Sequence, residues 1–111
     1  MLLAYSMRSG YVVYTMEWEW DEDKNAENIR KHDVTGEDAL HVFTDPAGIE
    51  KEDLAHSSPS ERRRWRTGRL YNGRIVTVVY TLRRDKIRLI SAQERRRERR
   101  EYEKANRPKN G

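Results

Sequence analysis

His56 and Glu61 stand close together in a polar stretch, and Arg64 follows shortly after. An imidazole moves protons near neutral pH, a neighbouring carboxylate can orient it, and a guanidinium can hold an anion through two parallel hydrogen bonds. Arg83, at the end of an apolar run, is the second candidate for such a clamp. Tyr80, in that run, could stack a planar ligand or assist proton transfer. Each residue also has a plainer reading. A loop histidine is commonly a surface residue, strand arginines are commonly exposed, and a tyrosine in V-V-Y-T suits a core. Lys31 and His32 could meet a polyanion, or only complement the end of a helix dipole. Arg95 and Arg99, one helical turn apart, could face phosphates or an acidic partner.

The three histidines (His32, His41, His56) are scattered, with no recognisable ligand spacing. Cysteine is absent, which excludes a thiol nucleophile, a disulfide framework and thiolate metal sites. We therefore expect neither a metal nor another cofactor. The charge is strongly segregated. Residues 16–60 carry 4 Lys+Arg against 13 Asp+Glu, a net of −9, and residues 61–104 carry 16 against 6, a net of +10. A basic half of this kind predicts a polyanion or an acidic partner, or a basic helix packed on an acidic one.

With 111 residues, 35% hydrophobic and 38% charged, the chain makes one domain with a thin core that a partner could complete. No apolar run approaches the roughly 18 residues of a membrane span, and a cytoplasmic setting fits. The elements that must position the candidates read as strand, two helices, three strands and a helix. Glu17 to Trp20 alternates as a half-buried strand does. Asp21 caps a helix reaching His32, with Ala26 and Ile29 as its buried stripe. Thr35 begins a second short helix that Asp45-Pro46 ends, and residues 47–60 form a polar connection. Residues 62–70 and 74–82 are strands joined by Asn72-Gly73, a dipeptide whose two positions both accept positive φ. Arg84-Asp85 turns the chain into a third strand at 86–90. Ser91 with Glu94 caps a final, almost wholly charged helix to about Ala105. Residues 1–15 read as a weakly structured extension or an extra strand at Tyr11 to Tyr14, residues 16–105 as the domain, and residues 106–111 as a flexible tail.

The order of several short motifs resembles the BrnT family of bacterial type II toxins. These are F/W-x-W-D-E-x-K-N within Glu17 to Asn25, N-x-x-K-H-x-V at Asn28 to Val34, and D-A-x-x-V-F-x-D-P at Asp38 to Pro46. Then come His56-Ser57, Glu61-Arg62, Arg64-Trp65, V-V-Y-T-x-R at Val78 to Arg83, R-x-I-S-A at Arg88 to Ala92, and R-E-R-R-x-Y-E at Arg97 to Glu103. Asp33 stands where the family usually has glycine, and Gln93 where it often has a basic residue.

The resemblance implies an α+β domain of order β-α-α-β-β-β-α, with an antiparallel sheet packed by helices as in RelE- and ParE-like toxins. It implies a metal-independent endoribonuclease that cleaves RNA by attack of the ribose 2′-OH and inhibits translation. Its catalytic candidates are His56, Glu61, Arg64, Tyr80 and Arg83. Its RNA-binding candidates are Lys31, His32, Arg88, Arg95 and Arg99. It implies a cognate BrnA-like antitoxin of ribbon-helix-helix type in a toxin–antitoxin heterotetramer, with DNA reached only through that antitoxin. A non-catalytic RNA- or DNA-binding module, or a degenerate toxin kept for antitoxin binding, are the alternatives.

Overall fold

Residues Ile75 through Thr81 are buried without interruption, which places their strand in the middle of a sheet covered on both faces. The computed structural model describes residues 2–6, 12–83 and 86–108. Its strands are β1 (Leu2–Ser6), β2 (Val12–Glu19), β3 (Ile49–Glu52), β4 (Arg63–Arg69), β5 (Ile75–Arg83) and β6 (Lys86–Gln93). Its helices are α1 (Glu22–His32), α2 (Gly36–Ala39) and α3 (Arg96–Ala105), and single 3-10 turns follow at Leu40–Phe43 and Leu54–His56. The sheet runs β1-β2-β6-β5-β4-β3. β2 joins β6 in parallel while the other pairs are antiparallel, so the sheet is mixed rather than antiparallel throughout.

Register assigns the two faces. Trp18, Val78, Tyr80 and Leu89 look to one side, where Val34, Leu40, Val42 and Phe43 complete the core. Phe43 sits edge-on to both Trp18 and Tyr80, with ring centroids 4.7 and 4.9 Å away. Gly68 lies on this face because a Cβ there would come within 3.0 Å of the Val42 backbone. On the opposite face Trp65, Thr67, Thr77 and Val79 meet α3, which buries Glu98 and Tyr102.

Several expectations are corrected. α1 buries no residue: Ala26 is exposed and Ile29 is 38% exposed. Asparagines hold it instead. Asn25 accepts a hydrogen bond from Gly36 N, and Asn28 bonds the backbone of Val34 and Ala92. The connection at 47–60 contains β3, whose alternating burial was hidden by its Glu and Lys residues. Ser91 and Glu94 do not cap the last helix. The β5–β6 ladder continues to Gln93, Glu94 pairs with Arg74, and Arg95 opens α3 without a side-chain cap. At the hairpin only Gly73 takes a positive φ, +88°, and Asn72 accepts from Arg74 N. Within the expected extension, β1 pairs antiparallel with β2, whose residues 12–15 precede the expected start of the domain. Tyr11, Arg84 and Asp85 lie outside the described residues.

Candidate active site

Alternation along β4 and β5 divides the candidate residues. Arg64 is opposite Tyr80 and Arg63 is opposite Thr81, so Arg64 shares a face with Tyr80 while Arg63 shares the other with Arg83. The shared clamp of Arg64 and Arg83 expected from sequence is therefore not formed, because the two lie on opposite faces of the sheet.

On the α3 side, the Glu61 carboxylate accepts a hydrogen bond from Arg83 Nη2 at 3.0 Å and stands 3.4 Å from Arg63 Nε. The hydrogen bond from Arg83 leads the causes that hold the Glu61 carboxyl below its ordinary range, against a smaller desolvation and with Arg63 adding to the effect. Glu61 is positioned by a tight turn, its carbonyl accepting from Ser58 N at 2.8 Å and its own N–H donating to Ser58 O at 3.2 Å.

The same loop carries His56. Its Nδ1 lies 3.0 Å from both Asp53 carboxylate oxygens, which fixes the proton on Nδ1 and leaves Nε2 as the working nitrogen of an exposed ring. Trp65 Nε1 donates to the same carboxylate at 3.1 Å. Burial pushes the Asp53 carboxyl up, but the hydrogen bonds from His56 and Trp65 outweigh it and the net displacement is downward. The orienting carboxylate of His56 is thus Asp53, not Glu61. The i,i+3 spacing of Asp53 and His56 was the signal in the sequence, and Arg63 was concealed within the Arg62-Arg63-Arg64 run.

Lys86 and Arg88 share this face, paired with Glu17 at 3.5 Å and Glu19 at 3.3 Å. A cleft of about 360 Å³ lies between the 52–60 segment and the start of β4, lined by Glu52, Ser57, Ser60 and Arg62 to Arg64. That volume is in the range of small-ligand sites. Arg63 belongs both to the cleft and to the Glu61 group.

The opposite face holds a second charged group. Tyr80, buried, donates its hydroxyl to both Glu50 oxygens at 2.8 Å, with Arg64 Nε at 3.7 Å and Arg66 Nη1 at 3.4 Å from that carboxylate. Burial, then the Glu50 charge and hydrogen bond, push the Tyr80 phenol well above its ordinary range, so it stays protonated.

The remaining candidates lie elsewhere. Arg74 donates to the carbonyls of His32 and Asp33, which puts Lys31 and His32 by the far end of β5. At about 3.3 Å per residue this is roughly 25–30 Å from Arg83. Lys31 is paired with Glu27 at 2.8 Å. Arg95 stacks over Trp65, 4.4 Å from its ring centroid, and Arg99 pairs with Glu103 at 3.7 Å. Among the described residues no three His, Asp or Glu side chains group as a metal would require.

The loop thus carries a carboxylate with two guanidinium groups beside it and, a few residues earlier, an imidazole oriented by a second carboxylate, groups able to transfer protons and to hold an anion. A sequence model described as the ribonuclease toxin BrnT of type II toxin–antitoxin systems matches residues 20–101. A comparison with curated proteins finds no match.

Proposed function

The chain belongs to the BrnT ribonuclease toxins of type II toxin–antitoxin systems, and from that premise we propose that Glu61 and His56 are the base and the acid of a metal-independent RNA cleavage. The carrying observation is the Glu61 carboxylate held by Arg63 and Arg83 at the foot of the loop that presents His56. Glu61 takes the proton of a ribose 2′-OH. The freed oxygen attacks the adjacent phosphorus, and charge on the phosphorane falls on Arg63 and Arg83. The bond to the 5′-oxygen breaks as His56 Nε2 delivers a proton to it, leaving a 2′,3′-cyclic phosphate and a 5′-hydroxyl. Asp53, 3.0 Å from Nδ1, keeps the imidazole turned for that step.

Arg64 and Tyr80 act from the other face in this reading, Arg64 at the cleft and Tyr80 as a positioning residue through Glu50. Arg88 holds a neighbouring phosphate. The domain runs over residues 16–105, and the fold groups with RelE-like toxins.

A type II toxin has a protein antitoxin. For this chain we take that partner to be a BrnA-like ribbon-helix-helix protein in a heterotetramer, with the free toxin inhibiting translation in the cytoplasm. Among the described residues no helix is long and apolar enough to cross a membrane.

The test compares an ordinary dinucleotide with one whose 5′-oxygen is replaced by sulfur, a leaving group that needs no acid. His56→Ala should lose about 10²–10⁴-fold on the first and be restored on the second, while Glu61→Gln should lose a similar factor on both. A chelator should leave the native rate unchanged. Native rates in both variants would sink the assignment. Graded loss of RNA affinity without any product from the native chain would favour the non-catalytic module.

A further inference from the structure

Helix α3 treats its cations in two ways. Arg97 and Arg99 each have a glutamate four residues on, Glu101 at 3.7 Å and Glu103 at 3.7 Å. Arg96, Arg100 and Lys104 are exposed and, among the described residues, have no ion-pair partner. They follow one another at i, i+4 and i+8, and so form a single stripe on the helix surface. Like charges at this spacing destabilise a helix. The neighbouring stripes show that glutamates could have neutralised them. Elsewhere the acidic and basic halves of the chain do neutralise each other, as in Lys51–Glu101, Arg88–Glu19 and Arg66–Glu50.

We propose that this stripe is a phosphate rail that holds the RNA strand beyond the cleaved bond, making single-stranded polynucleotides longer than a dinucleotide the preferred substrate. The inference rests on the ribonuclease reading above. The cations recur about every 6 Å along the helix axis, four residues at 1.5 Å each, a spacing comparable with that of successive phosphates in a strand. The rail starts next to Arg95, which lies on Trp65, whose indole bonds the carboxylate that orients His56. Among the described residues the exposed large apolar side chains, Ile29, Leu54, Tyr71 and Leu82, all lie off α3, so this helix surface lacks the apolar anchor a protein partner would bury and keeps what a polyanion needs.

The experiment measures anisotropy of a labelled oligodeoxyuridylate of about twelve nucleotides, which spans a typical single-strand site and, lacking the 2′-OH, is not cleaved. The native chain is compared with R96Q/R100Q/K104Q, R97Q/R99Q and Arg96→Glu across salt concentrations. Loss of three phosphate contacts should make the log–log salt slope shallower by about 2 and weaken low-salt binding by about tenfold or more. R97Q/R99Q should change it less. Arg96→Glu, which gives Arg100 a helix-stabilising partner, should weaken binding while remaining folded by circular dichroism. Cleavage of a dinucleotide by the triple variant should match the native rate, while cleavage of a long RNA should show a raised KM. An unchanged salt slope would overturn the rail, as would equal losses on short and long substrates. Retained oligonucleotide binding with loss of an oligoglutamate peptide would also overturn it and assign the stripe to an acidic protein. A native chain that binds the oligonucleotide through these residues but cleaves no RNA would fail the ribonuclease reading and leave the rail standing.

Discussion

Asn28 and Ala92 bind each other through two opposed hydrogen bonds: Asn28 Nδ2 donates to Ala92 O at 2.9 Å, and Ala92 N donates to Asn28 Oδ1 at 3.1 Å. β2 covers β6 only from Lys86 to Arg88, so the backbone further along would lack a partner there. The asparagine amide stands in for the missing strand, and its second N–H reaches Val34 O at 3.0 Å. Since α1 buries no side chain, this amide is its main tie to the sheet. Asn28→Ala should destabilise the domain by about 2–3 kcal/mol, the cost of leaving partly buried backbone groups unpaired. Urea unfolding checks this, and a change under about 0.5 kcal/mol, typical of a surface site, would contradict it.

Asp33 ends α1 at φ +53°, ψ +43°, its N–H donating to Ile29 O at 2.9 Å. It is a residue with a Cβ in the left-handed region and a negative charge at the negative end of the helix dipole. Both features cost free energy that glycine would not incur. Asp33→Gly should raise stability by about 0.5–1 kcal/mol, and Asp33→Asn, which removes the charge alone, by less. Thermal unfolding of the two variants beside the native chain distinguishes the contributions.

The elements easiest to read in the sequence were those declared by local chemistry. Asp21 and Thr35 cap their helices with their own side chains, and the β-branched run at Ile75 to Thr81 is the central strand. What was hidden depended on contacts distant in sequence. Ser91 and Glu94 carry a good cap signature, yet Val79 and Val78 draw Ser91 and Ala92 into the sheet. Ile29 looked like a core residue because a short helix usually buries its apolar stripe, whereas Asn25 and Asn28 do the attaching here. Within the candidate site, His56, Glu61 and Arg83 are nameable from their types. That Arg63 rather than Arg64 accompanies Arg83 depends on a single-residue register, which only pairing with β5 decides.

Asp45 ties α3 to β4. It accepts from Tyr102 Oη at 2.6 Å, Arg69 N at 2.8 Å and Ala47 N at 2.9 Å. Burial raises its carboxyl, but the Tyr102 hydrogen bond and the two backbone donors outweigh this and the net shift is downward. The Tyr102 phenol is raised, by burial first and then by Asp45. A lowered carboxyl contributes stability above the ordinary aspartate value of 3.8 that is lost as pH falls through the folded value. A raised phenol contributes stability below the ordinary tyrosine value of 10.0 that is lost as pH rises through the folded one. Urea midpoints should therefore fall at both extremes. Asp45→Asn should flatten the acid limb and Tyr102→Phe the alkaline limb. If Asp45→Asn keeps the full acid dependence, that dependence belongs to other carboxylates.

Tyr80 separates positioning from proton transfer. Its hydroxyl is buried and shared by both oxygens of Glu50, the carboxylate that also faces Arg64 and Arg66. A phenol held in this way, with its proton retained, is poorly placed to exchange protons with a substrate on the α3 side. Tyr80→Phe should thus reduce kcat by less than about tenfold, well below the 10²–10⁴ expected for loss of an acid or base. It should leave the pH–rate profile in place. Glu50→Gln keeps an acceptor for the phenol but removes the charge that restrains Arg64, so it should affect KM for RNA more than kcat. Arg83→Ala, which frees Glu61 and removes one of the two guanidinium groups proposed to meet the phosphorane, should cost about 10²-fold or more in kcat. If Tyr80→Phe instead matches Arg83→Ala and displaces a limb of the pH profile, the tyrosine is a proton carrier and the active face is the one lined by Arg64.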